Sequence, residues 1–110
     1  MPKFIVERKV PGVGRSTHED LQSMAHTSNE ALNSLNGQVM WLESFVTDDA
    51  TYCIYVAPSE ELIRRHAEIA GFPADRISRI DTIIDPSTGE LEQAQNMAGR
   101  RQGAESQLRQ

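Results

Sequence analysis

Two strand-like stretches with almost nothing between them constrain this chain most. "VMWLESFVT" (39–47) and "TYCIYVA" (51–57) are β-branched and aromatic, and only "DDA" (48–50) separates them. Three residues allow a tight reversal and little else, so the two stretches form an antiparallel hairpin. A helical pattern flanks the hairpin on each side. In the first, Leu21, Met24, Ala25, Ser28, Ala31, Leu32 and Leu35 share one face. Ser16 stands as its N-cap with Glu19 three residues on, and Asn36-Gly37 closes it. In the second, Ser59 caps, Glu60 and Glu61 suit the positive helix end, and Gly71 terminates. "KFIVERKV" (3–10) reads as an opening strand and "RISRIDTIID" (76–85) as a closing one, stopped by Pro86.

The order β-α-β-β-α-β is the split βαβ, ferredoxin-like arrangement. It predicts an α+β domain with a four-stranded antiparallel sheet and two helices on one face. The domain spans 1–86. From 87 to 110 the chain is polar and Gln-rich, with few apolar residues, and reads as a flexible C-terminal tail.

Two helices cover one face of such a sheet and leave the other bare. Phe4, Val6, Met40, Leu42, Val46, Tyr52, Ile54, Val56, Ile80 and Ile84 are assigned to the helix-packed face. Ile5, Glu7, Trp41, Glu43, Phe45, Cys53, Tyr55, Ile77, Arg79, Asp81 and Ile83 fall on the other. That second face is too apolar to leave in water. A symmetric homodimer packed sheet to sheet is therefore expected.

Composition narrows the partners. Eleven basic residues against sixteen acidic ones give a formal net charge of −5, which argues against nucleic acid. No apolar run approaches the roughly 18 residues of a membrane helix, so no membrane partner is expected. The sequence enters its first strand without a secretory leader, and its single cysteine, Cys53, forms no internal disulfide. Both features point to the cytoplasm.

His66 is the residue that most needs explaining. On the helical wheel Leu62, Ile63, Ala67, Ile69 and Ala70 make an apolar arc, opposite Glu61, Arg64, Arg65 and Glu68. His66 falls near the middle of that arc. It is either a core histidine with satisfied nitrogens or a ligand or proton-handling group in a pocket. His18 and His26 read as surface residues. The three histidines show no spacing of the HxxxH kind. Cys53, mid-strand, reads as an inert buried thiol. "PGVG" (11–14) is a turn, too short for a phosphate loop. The carboxylates Glu7 and Glu43 belong either to rim ion pairs or to a polar pocket that holds a cation.

"FIVERKVPG", "WLESFVTDD", "TYCIYVAPSEELIRRHAEIAGFPADRI" and "IIDP" resemble the nickel-responsive protein family, a small bacterial family of domains of unknown function. The resemblance runs from about residue 1 to 86 and does not cover the tail. It implies a dimerising ferredoxin-like domain and, for the family's named members, nickel binding. The expected function is thus a cytoplasmic homodimer that binds a divalent transition metal, Ni²⁺ first, through His66 with Glu7 and Glu43. His66 belongs to the helix side of the sheet and the glutamates to the other, which already sets these ligands in tension. Two other classes stand beside this one. A dimeric α/β-barrel enzyme would hold a small molecule in a cavity and use His66 with Tyr52 or Tyr55 as acid-base groups. A non-catalytic interaction module would need neither metal nor cavity.

Overall fold

A computed structural model describes residues 1–91. Its strands are β1 (Lys3–Lys9), β2 (Met40–Val46), β3 (Ala50–Val56) and β4 (Arg76–Ile80), and its helices are α1 (His18–Asn33) and α2 (Glu60–Ala70). Short 3₁₀ turns occupy Val13–Arg15 and Pro86–Gly89. The sheet order is β2-β3-β1-β4 with every neighbouring pair antiparallel. This is the expected β-α-β-β-α-β chain. The greater part of the tail lies outside the described residues.

Local chemistry accounts for the boundaries, two of which differ from expectation. α1 is capped by Thr17, one residue later than the expected Ser16. The Thr17 hydroxyl accepts from the Asp20 N–H at 3.0 Å, and the Asp20 carboxylate accepts from the Thr17 N–H at 3.1 Å. Asp20 completes the capping box in place of Glu19 because its shorter side chain lies three residues after the cap that is used. α2 begins at Ser59 and ends on Gly71 at φ 79°, as expected. β4 stops at Ile80, five residues before the expected end. Its only ladder partner is β1, and Lys3, the first residue of β1, pairs with Ile80. Beyond that point the strand has nothing to bond to.

The core sits between the sheet and the helices. Phe4 and Val6 of β1, Cys53 and Tyr55 of β3 and Ile63 of α2 are buried together, with Leu35 and Val39 from the connection between α1 and β2. The expected faces hold for β1 and for Glu43, Phe45 and Val46 of β2, and are corrected for the rest of β2, for β3 and for β4. Antiparallel partners share a face, and Val6 opposes Cys53 while Phe4 opposes Tyr55. Thus Thr51, Cys53 and Tyr55 point to the helices, and Tyr52, Ile54 and Val56 line the open face. In β2 the register shifts between Trp41 and Glu43. This bulge inserts Leu42 and separates Trp41, which packs on the core, from Glu43 on the open face. In β4, Ile77 opposes Val6 and faces the core, while Ile83 and Ile84 lie exposed beyond the strand.

Candidate functional site

The alternation that buries Phe4 and Val6 also carries Arg8 inward, and only 3% of this residue is exposed. Its guanidinium donates to the Tyr55 hydroxyl at 3.1 Å and to the Pro73 carbonyl at 2.5 Å. The Pro73 carbonyl is available because the chain between α2 and β4 is irregular there. The same cation lies 5.6 Å from the Phe72 ring centre and 6.0 Å from that of Tyr55, within cation–π range. The ion pairs among the described residues, His26–Glu30 and Arg64–Glu60, do not include Arg8. A positive charge is thus held inside the fold by neutral acceptors and aromatic faces.

His66 is fully buried, one helical turn after Ile63. Its Nε2 lies 3.2 Å from the Ser28 hydroxyl and 3.4 Å from the Ser28 carbonyl, which ties α2 to α1. Its ring stands 5.2 Å from that of Tyr55. Nδ1 has no hydrogen-bond partner among the described residues. Burial pushes the imidazole pKa below its ordinary value of 6.5; the Ser28 carbonyl opposes this and the Arg8 charge adds to it. Burial likewise raises the Tyr55 phenol above 10.0, against the smaller pull of Arg8. Both rings are neutral at pH 7.

Above these groups lies a cavity of about 230 Å³ between α1 and the sheet. Leu21, Met24, Ala25 and Ser28 of α1 form one wall. Trp41, Ser44 and Val46 of β2 and Thr51, Cys53 and Tyr55 of β3 form the other, with Phe72 and Arg8 at one end. The lining is largely apolar, and among the described residues Arg8 is its only charged one. Trp41 is fixed there by a 2.9 Å bond from its indole N–H to the Ser44 hydroxyl.

The expected site residues do not converge. His66 is on the helix side. Glu7, opposite Tyr52 and Arg76, and Glu43, opposite Ile54, are on the open face two strands apart. Among the described residues no group of three or more His, Cys, Asp or Glu gathers where a metal could sit. His18 and His26 are exposed, and His26 lies 3.3 Å from Glu30. Cys53 is a buried free thiol, as expected. The β3 phase places Tyr55, and not Tyr52, beside His66. Arg8 and Ser28 were not singled out in the sequence. Carrying the β1 alternation two residues beyond Val6 would have found Arg8.

A four-stranded antiparallel sheet with two helices in this order defines an α+β domain of the split βαβ type. Within that class, residues 4–80 match the family model for the nickel-responsive proteins similar to SCO4226, and the chain belongs to that family. The crystal structure of SCO4226 from Streptomyces coelicolor A3(2) superposes with a TM-score of 0.64 at 20% identity, over 74% of this chain and 99% of that one. At this identity the likeness concerns the fold. No curated protein sequence matches the chain.

His66 gives the site a pH signature. Its folded pKa is depressed, so the unfolded chain binds the proton more readily. Its stabilising contribution is complete above pH 6.5 and is lost as pH falls from there toward the folded pKa. Denaturation followed from pH 7.5 to 5.5 should show stability falling by up to about 1.4 kcal/mol per pH unit on this account. His66→Asn should flatten that dependence. An unchanged slope in the variant would assign the effect to other groups.

Proposed function

We propose that this protein is a small cytoplasmic homodimer whose work is non-covalent binding, and that its cavity between α1 and the sheet receives a small organic ligand. The cavity carries this reading. An apolar cavity of about 150 Å³ holds benzene, and the 230 Å³ here leaves room for a ring or short chain with a head group. Apolar walls carrying a small number of polar groups are the usual make-up of a ligand site. Trp41, the sole tryptophan, lines the wall and serves as a built-in reporter. Octan-1-ol should shift its emission and raise the melting temperature, and Ala25→Phe, which fills the space, should abolish both effects. If octan-1-ol changes neither signal, the cavity does not take such ligands.

The homodimer rests on the open face of the sheet. Ile5, Ile54 and Val56 form an apolar strip there, flanked by Phe45 at 53% and Met40 at 56% exposure. A second copy laid on the same surface would bury all of them in an isologous interface. Sedimentation at micromolar concentration should give twice the chain mass, and Phe45→Glu should give monomers. A wild-type monomer would overturn the assignment.

A second reading, favoured by the family to which the chain belongs, is that it binds Ni²⁺. His66 with its free Nδ1 is the first donor to test, and Glu7 and Glu43 follow. One chain does not bring these groups together, whereas a sheet-to-sheet dimer would gather the carboxylates of both copies on one interface. Calorimetry on the untagged protein should show His66→Asn lowering Ni²⁺ affinity at least about tenfold, or ~1.4 kcal/mol. His26→Asn should leave it unchanged. Loss of binding with His26→Asn alone would place the ion at the exposed His26–Glu30 pair.

A further inference from the structure

We infer that the ligand of this cavity is an amphipathic monocarboxylate, held by Arg8 through its head group with an aliphatic or aromatic body along Leu21, Met24, Trp41 and Val46. This rests on the cavity-binding reading above and adds the ligand's charge and shape. Arg8 presents five N–H donors. The Tyr55 hydroxyl and the Pro73 carbonyl take two of them. Arg8 lines the cavity, and no acidic residue of the described chain forms an ion pair with it.

A buried charge without a counter-charge is costly, and a well-aligned counter-ion offsets part of that cost. The planar guanidinium fork matches a carboxylate in geometry as well as sign. Tyr55 supports this match. Its hydroxyl accepts from Arg8 and so holds the guanidinium plane in place beside the cavity.

The count of charges selects the anion. Among the described residues Arg8 is the only charged residue lining the cavity. One positive charge is balanced by one negative charge. A phosphate monoester, carrying nearly two at pH 7, would leave one charge unmatched beside a mostly apolar lining. A cationic ligand would meet Arg8 with like sign. The volume, below the roughly 300–1,000 Å³ of drug-sized sites, limits the body to a short chain or a single ring system.

The experiment compares octanoate, octanamide, octan-1-ol and octyl phosphate on the full chain, read by Trp41 emission. Octanoate should bind at least tenfold tighter than octanamide or octan-1-ol, and tighter than octyl phosphate. In Arg8→Met the ratio of octanoate to octan-1-ol affinity should collapse to within about threefold, and Arg8→Lys should keep part of it. Should Arg8→Met fail to fold, the wild-type ranking decides alone. Equal binding of octanoate and octan-1-ol to the wild type would overturn the carboxylate assignment while leaving the cavity reading intact. Tighter octyl phosphate would replace the carboxylate with a dianion. Binding of none of the four would overturn the cavity reading itself.

Discussion

A positive charge carried into the layer between sheet and helices organises this structure. Arg8 enters on the inward side of β1, and the groups around it are those a buried cation needs. Tyr55 offers a hydroxyl, Pro73 a carbonyl free of the ladder, and Phe72 an aromatic face. They come from two parts of the chain: Tyr55 from β3, and Phe72 and Pro73 from neighbouring positions in the connection after α2. Holding them together fixes the exit of α2 against the end of β1. The neighbouring Lys9 N–H donates to the Asp75 carboxylate at 2.6 Å and reinforces the same junction.

The second buried polar group, His66, works through the helices. Its Nε2 reaches Ser28, and its ring leans on Tyr55, so the sheet, α1 and α2 meet around two aromatic rings. A leucine at position 66 would satisfy the helical pattern equally well but would give Ser28 no partner. Among the described residues Nδ1 has no partner, and a buried polar atom left so costs about 1–3 kcal/mol. Most proteins avoid such a cost in a region with no other role. It places the least settled part of the core next to the cavity.

What was legible in the sequence follows from where the periodic signal had amplitude. α2 has one apolar and one charged arc, and the burial of His66 could be read from it. β1 runs Phe4-Ile5-Val6 apolar and then Glu7-Arg8-Lys9 charged, and its burial alternates as expected, with Phe4 and Val6 inside. β3 is apolar on both faces, Thr51, Cys53 and Tyr55 against Tyr52, Ile54 and Val56, so alternation carried no phase. Pairing with β1 decided it. β2 defeated the period in another way: one inserted residue, Leu42, reverses the faces within the strand, and no composition marks it. The cavity was hidden for the same reason. Its floor combines a residue at the end of one strand, a phase in another that alternation could not fix, and a carbonyl from an irregular connection.

The phase of β1 also explains how one thin sheet serves two surfaces. Arg8 faces the cavity and Glu7 the open side, while across the ladder Thr51 and Tyr52 divide in the same way. A slip of one residue would exchange these roles, exposing Arg8 and driving Glu7 into the apolar layer with no cation beside it. Hydrophobic pattern alone gives weak protection against this, because β3 is nearly as apolar on one face as on the other. The Arg8–Tyr55 bond supplies the missing discrimination: it is satisfied in one register only, and the alternative buries a carboxylate. The residue that gives the cavity its charge is therefore also the one that tells the sheet which side is in.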